Sequence, residues 1–330
     1  MKIETPDIAS RKAHIVLVNI WSVTNATGGT EKVFCDMANA IFKRGYEVTA
    51  LFCDPNQGNP HFSFDIGVRL INSYKKPRFS FLYKGILRNL LCWRFDATKR
   101  RLARLAFTSK VRISSLKAAL CRLPKVDLFI SYQPETTWLL RDCLNIQTPI
   151  ITMFHLNPMQ FFLHDPNFAF YQKAVASSEI LHVLLSEFVA ETQDKFPNNK
   201  INVIPNVAPQ LDIRADLSQK TIITIARLTP QKRTTLLLEA FALLKDRFPE
   251  WKCVWYGERT DPEYWTTIEQ VVRDNGLEER VLFPGKTDGV VSKLQNASIF
   301  AFPSEYEGFG LALAEAFAMG LPAVGCKDCP

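Results

Sequence analysis

Ala13-His14-Ile15-Val16-Leu17-Val18-Asn19 is a short apolar run that closes on a polar residue. A run without alternation fits a strand buried on both faces of a parallel sheet, because neither face meets water. A loop of small and polar residues follows and ends in Thr27-Gly28-Gly29-Thr30. Glu31 to Arg44 then has helical spacing, with Val33, Met37, Ala38 and Ile41 on one face, and Gly45 stops it. Tyr46 to Cys53 reads as a second strand, with Asp54-Pro55-Asn56-Gln57-Gly58 as a loop after it. Strand, glycine turn, helix, strand is the opening of a doubly wound α/β domain.

Further along, the same alternation returns. Strands are expected at Val126 to Ser131, Pro149 to Met153 and Ile180 to Leu185, with a short apolar run at Ile201 to Ile204 before Pro205-Asn206. Residues 208–219 mix Pro, Asp, Arg and Gln without period and read as a linker. A second α/β unit begins after them. Its expected strands are Thr221 to Ala226, Trp251 to Tyr256, Val281 to Phe283, Ser298 to Pro303 and Pro322 to Gly325. Its expected helices are Thr234 to Phe248, Pro262 to Asn275 (capped by Gly276), Val290 to Gln295 and Leu311 to Met319 (closed by Gly320). The 330 residues therefore divide into a first domain over 1–207, a linker over 208–219 and a second domain over 220–330. Two such domains are expected to face a central cleft lined by the carboxyl ends of both sheets, where open α/β folds bind ligands.

Composition excludes several classes. Hydrophobic residues are 47% and charged residues 22%, the balance of a globular chain rather than a disordered one. No stretch reaches the roughly 18 consecutive apolar residues of a spanning helix. Met1 to Arg11 holds no apolar core of a secretory signal, so a cytoplasmic protein is expected. The eight cysteines are scattered and read as buried or free thiols. Cys326 and Cys329 form one C-x-x-C, without the second ligand pair that a zinc site needs. Net charge is +7, yet fifteen Lys/Arg and a single acid, Asp96, lie between Lys75 and Lys125. That segment alone carries +14, and the remainder carries −7.

The densest chemistry lies at Pro303-Ser304-Glu305-Tyr306-Glu307-Gly308-Phe309-Gly310-Leu311, followed by Glu315 and Gly320-Leu321-Pro322. A strand delivers the chain into a glycine-bracketed turn, and a helix starts near Gly310. Glycines let backbone approach a ligand, and the free N–H groups of a helix start favour phosphate. Two carboxylates flanking an anion site suit hydroxyl recognition, since they would repel the phosphate itself. A ribose and a sugar ring supply such hydroxyls.

This stretch resembles the E-x7-E motif of retaining glycosyltransferases of the GT-B fold, family 4. The resemblance implies that Glu315 holds ribose hydroxyls and that Glu307 contacts the donor sugar. It also implies that the backbone around Gly308, Phe309, Gly310 and Leu311 receives the diphosphate of a nucleoside-diphosphate sugar. Ala226-Arg227-Leu228-Thr229-Pro230-Gln231-Lys232 is similar to the family's G-R-L-x-x-x-K-G segment, whose Arg and Lys neutralise the leaving diphosphate. Arg227 and Lys232 would then perform a metal's task, so neither a metal nor another cofactor is expected. Ala226 and Arg233 depart from the family by standing where it has glycine. Gly28-Gly29-Thr30-Glu31 resembles the family's G-G-x-E loop, whose backbone approaches the donor; read alone it is equally a tight turn. His155, after the strand Pro149 to Met153, matches a family histidine beside the donor sugar, against the alternative of a structural imidazole. Ser186 and Val203-Ile204-Pro205-Asn206 are similar to the family's strand ends and read as structural or cleft-lining, with Val207 in place of a glycine. The implied mechanism is front-face displacement, in which the leaving diphosphate takes the acceptor hydroxyl's proton and no protein nucleophile is required.

Within the basic segment, Leu82, Ile86 and Leu90 recur at helical spacing, and Thr98 to Lys110 sets Lys99, Arg100, Arg101 and Arg104 beside Leu102, Leu105 and Phe107. Such helices fit an anionic membrane surface, or else cover a sheet with a solvated cationic face. No nucleic-acid motif accompanies the charge, so no nucleic-acid partner is expected. The acceptor implied is a saccharide or glycolipid of bacterial lipopolysaccharide, capsule or surface-glycan synthesis, met at the inner face of the membrane. Family members continue through further helices, so the second domain is expected to be incomplete at Pro330. That leaves a non-catalytic nucleotide-sugar-binding relative as the competing expectation. An epimerase or oxidoreductase is disfavoured, because the first turn lacks G-x-G-x-x-G and no Tyr-x-x-x-Lys pair follows a suitable strand. Gly285 and Lys286 are expected near the donor base.

Overall fold

A computed structural model describes residues 11–26, 28–56, 58–76, 97–327 and 329, with the side chains of 97–108 excepted. The chain divides into two compact units, Met1–Ile204 and Pro205–Pro330.

The first unit is built on seven strands: β1 (His14–Asn19), β2 (Glu47–Phe52), β3 (Arg69–Asn72), β4 (Leu128–Ser131), β5 (Ile150–Met153), β6 (Ile180–Val183) and β7 (Lys200–Val203). They pair in parallel in the order β3-β2-β1-β4-β5-β6-β7. Every residue of β1 is buried. Ile15 and Leu17 point to one cluster with Phe34 and Ala38, while Val16 and Val18 point to another with Leu116, Phe129 and Ile150. The strand alternates between two apolar cores, which is why its sequence shows no polar alternation.

Helix α1 (Gly29–Lys43) covers the first of these cores and α2 (Ala97–Leu120) the second. Next come α3 (Pro134–Trp138), running into a π-helical turn at Leu139–Cys143, and a second such turn at Gln160–His164. Then follow α4 (Phe168–Ala176) and α5 (Phe188–Lys195). α1 begins two residues earlier than its spacing predicts, at Gly29, and Gly45 beyond it takes φ +91°. β3 was not expected: it holds only two apolar residues, Leu70 and Ile71, and lies mostly exposed at the sheet edge. The helix expected around Leu82, Ile86 and Leu90 lies outside the described residues. The helix expected to end near Lys110 runs on to Leu120 instead. Leu116 and Ala119 are buried on its inner side, with Ile113 and Leu120 packed beside them. Residues 109–120 thus belong to the crossover that carries the chain from β3 to β4.

The second unit repeats the plan with β8 (Thr221–Ile225), β9 (Lys252–Tyr256), β10 (Val281–Gly285), β11 (Ile299–Phe302) and β12 (Ala323–Gly325), all parallel, in the order β10-β9-β8-β11-β12. Its helices are α6 (Thr234–Ala242), α7 (Pro262–Asp274), α8 (Val290–Gln295) and α9 (Leu311–Ala318). α6 stops at Ala242 rather than Phe248. Beyond it the chain turns, and Arg280 holds the segment leading to β9 by donating to the carbonyls of Phe248 (2.8 Å) and Trp251 (2.8 Å). Residues 211–216 lie against this unit: Ala215 N–H donates to Met319 O (2.8 Å), Asp216 N–H to Gln295 O (2.8 Å), and Leu211 packs on the Ile223 cluster.

Candidate functional site

In the second unit, β8 leads into Ala226-Arg227-Leu228 and a 3-10 turn at Pro230–Lys232, while β11 leads into Pro303 to Gly310. β8 and β11 are neighbours in the sheet, so both loops leave its carboxyl edge side by side. Four contacts join them. Glu305 N–H donates to Gln231 O (2.8 Å), and Gln231 Nε2 donates to Tyr306 O (2.7 Å). Lys232 Nζ pairs with Glu307 Oε1, and Arg233 Nη2 with Glu305 Oε1 at 3.0 Å. The Lys232 and Glu307 side chains are only 14% and 13% exposed, so the structure brings these two predicted site residues together in a largely dry contact. Arg227 is exposed and makes no ion pair with any described residue.

Backbone geometry explains several residue choices. Arg233 adopts φ +49°, ψ +46°, the left-handed region where glycine is at ease, so the family's glycine here has a conformational reason. Arginine accepts the strain while its guanidinium is held by Glu305, whose hydrogen bond raises the Arg233 pKa. Gly310 caps α9 with φ +74°, and a Cβ there would lie 2.9 Å from the Phe302 ring. Gly257, after β9, permits a closer approach still: a Cβ would sit 1.8 Å from Ala226 O. That carbonyl also accepts from Trp255 Nε1 at 2.8 Å, which fixes the start of the Arg227 loop. Gly308 is buried in the turn, with Phe309 and Leu311 partly exposed beside it. Glu315 lies in the second turn of α9, half-buried.

The C-x-x-C, given no role from sequence, reaches this same edge. Cys326 Sγ donates to Pro303 O (3.4 Å). Burial, and then the charge of Glu307, push the Cys329 thiol up to about 11. Among the described residues no group of three or more His, Cys, Asp or Glu side chains is arranged to hold a metal ion.

In the first unit, Gly28 caps α1 in an extended conformation, and the Glu31 side chain folds over it; a Cβ on Gly28 would lie 2.2 Å from Glu31 Oε2. His155 follows β5 and is 8% exposed, with neither ring nitrogen hydrogen-bonded. It stacks on Tyr132, which follows the neighbouring β4, at 4.5 Å and 19°. Burial, and then the nearby His182, push its pKa down to about 3, so the imidazole is neutral near pH 7. His182, on β6, donates through Nε2–H to Ile204 O (2.7 Å), and its pKa is likewise lowered by burial. Gly28, Gly29 and His155 therefore all follow carboxyl ends of the first sheet's strands.

Sequence reading missed Tyr132, His182 and the Arg233–Glu305 pair. The first two look like ordinary strand residues, and only the sheet order sets β4, β5 and β6 side by side. The pair had one usable signal, a charged residue at a glycine position.

Residues 212–330 match the family model described as glycosyl transferases group 1. Over 332 aligned positions the chain is 26% identical to an uncharacterized glycosyltransferase of Haemophilus influenzae, covering 97% of this chain and 82% of that protein.

The chain is a glycosyltransferase, and its second unit carries the group 1 region.

Solved structures agree on the fold of this glycosyltransferase. Sucrose-phosphate synthase from Thermosynechococcus elongatus superposes with a TM-score of 0.72 at 16% identity, over 95% of this chain and 81% of that one. Anabaena HepE, solved in complex with UDP-glucose, gives 0.66 at 16% identity, over 95% and 80%. At such identities the likeness is one of fold, and that fold is GT-B. In the glycosyltransferase's own second unit, the matched region contains Arg227, Lys232, Glu307 and Glu315, the loops joined above.

Proposed function

We propose that this glycosyltransferase is a retaining, family 4 enzyme. It moves a hexose-type sugar from a nucleoside-diphosphate sugar to a saccharide or lipid-linked acceptor, in bacterial lipopolysaccharide, capsule or surface-glycan synthesis. The observation that carries the reading is the contact between Lys232 and Glu307, beside a glycine-started helix that holds Glu315 one turn on. Cation, carboxylate and free helix-start amides at one sheet edge match the three parts of such a donor: diphosphate, sugar and ribose.

In this scheme Glu315 accepts hydrogen bonds from the ribose, and Glu307 from the sugar's hydroxyls. Arg227, Lys232 and the amides near Gly310 and Leu311 take the diphosphate, with Gly28 and Gly29 offering backbone to the donor. The bond from the anomeric carbon to the diphosphate breaks as the acceptor oxygen forms its bond on the same face. The acceptor's proton passes to the departing diphosphate, whose charge the two cations stabilise without a metal. His155, neutral near pH 7, is the histidine that the family resemblance sets beside the donor sugar. The loop at Gly285 and Lys286 lies near the donor base.

No helix among the described residues is long and apolar enough to cross a membrane. We place the enzyme in the cytoplasm, docked on the inner membrane face through the cationic segment 75–125. Lys110, Lys117, Arg122 and Lys125, all exposed, would face anionic lipid. A panel of nucleotide sugars, read by nucleoside-diphosphate release with and without membrane extract, tests the activity. Glu315→Ala should weaken donor binding about 10- to 100-fold. Failure of every nucleotide sugar to bind, or binding indifferent to Glu315, would sink the reading.

A further inference from the structure

We propose that Glu307 is a specificity device for the intact donor: it pairs with the ammonium of Lys232, and a ligand separates the pair without penalty only when it gives both charges new partners. The inference rests on the donor reading above. Lys232 and Glu307 keep only 14% and 13% of their side-chain surface exposed, and they pair with each other. Separating a dry ion pair strands two charges unless each is given a new partner at once. A nucleoside-diphosphate sugar supplies both, phosphate oxygens for Lys232 and sugar hydroxyls for Glu307. A spent nucleoside diphosphate supplies only the first and leaves Glu307 stripped of its counter-charge. Glu307 therefore penalises the product relative to the donor, and its return to Lys232 expels the product after transfer.

The surrounding contacts suit an exchange of side chains over a fixed backbone. Glu305 N–H to Gln231 O and Gln231 Nε2 to Tyr306 O hold the two loops in register whichever partner Lys232 takes. Arg233 keeps the other nearby carboxylate, Glu305, engaged at 3.0 Å and so leaves Lys232 to Glu307 alone. Arginine at a left-handed position is strained, and this engagement is what the strained residue supplies.

Calorimetric titration of wild type, Glu307→Gln and Arg233→Gly with nucleoside diphosphate, and with the nucleotide sugar found active in the panel, tests the proposal. Glu307→Gln should bind nucleoside diphosphate about tenfold more tightly than wild type and bind the nucleotide sugar no more tightly, so the preference for donor collapses. Product inhibition should strengthen in step. Arg233→Gly, by releasing Glu305 toward Lys232, should bind nucleoside diphosphate more weakly. Should the glutamine variant fail to fold, Glu307→Asp, whose shorter arm loosens the pair, should show an intermediate gain. Nucleoside-diphosphate affinity unchanged or weakened in both Glu307 variants, with wild type binding normally, overturns the inference and leaves the donor reading standing. Wild type that binds no nucleotide overturns both.

Discussion

Two imidazoles in the first unit show how burial sets chemistry residue by residue. His155 is held with both nitrogens unpartnered, stacked on Tyr132, and its pKa is near 3; His182 is depressed as well. In the unfolded chain such rings titrate near 6.5. Below that value the unfolded state takes up protons that the fold refuses, so the stability due to neutral burial is complete above pH 6.5. It is lost progressively as pH falls toward about 3. Urea midpoints should therefore drop between pH 7 and pH 4, and His155→Phe should flatten that slope. A slope identical in the variant would show that His155 is not the source. At Gly310 the constraint is steric: φ +74° and the Phe302 ring leave no room for a methyl group. Gly310→Ala should cost about 1–3 kcal/mol in chemical denaturation and weaken nucleotide binding with it.

At the scale of elements, what matters is which strands are neighbours. β8 and β11 are adjacent, so loops about 75 residues apart in sequence interlock through Gln231, Lys232 and Arg233. β9 adds a constraint at the same edge, because Gly257 lies against the carbonyl of Ala226. Gly257→Ala drives a methyl group into backbone and should destabilise the second unit by about 3 kcal/mol or more, read as a lower thermal midpoint. α2 carries a divided burden. Leu116 is fully buried on its inner side, so Leu116→Ala should cost about 2–5 kcal/mol. Lys110 and Lys117 are exposed, and replacing both with Glu should leave stability nearly unchanged while weakening flotation with anionic vesicles at low salt. Wild type that fails to float at low salt removes the membrane reading.

For the molecule as a whole, donor binding should be legible as stability. A ligand that binds only the folded state adds about 2.7 kcal/mol at a hundred times its dissociation constant. The added protection in hydrogen exchange should concentrate at 226–233 and 303–315, within the second unit. Protection spread evenly, or absent from those loops, would contradict the assignment of the diphosphate site.

The strands other than β3, and the helices of the second unit, were legible in the sequence, whereas α3, α4 and α5 of the first unit were not read from it. Apolar runs such as Val16 to Val18 and the glycines at 28, 29, 308 and 310 are local signals, set by which residues tolerate burial or close approach. Phe168, Tyr171, Ala174 and Val175 of α4 recur at helical spacing and are all buried, yet this nine-residue helix was not read from the sequence. β3, a four-residue edge strand with only Leu70 and Ile71 apolar, gave too short a run to be read. What the sequence determined by itself was a pair of parallel-sheet units, because hydrophobic period and backbone tolerance are properties of neighbouring residues. Only the tertiary structure decided that Lys232 grips Glu307, that Arg233 holds Glu305 and that His155 lies neutral on Tyr132. Each of these depends on strand order, which places distant segments at one sheet edge, and on withdrawal from water, which no residue carries until the chain has folded.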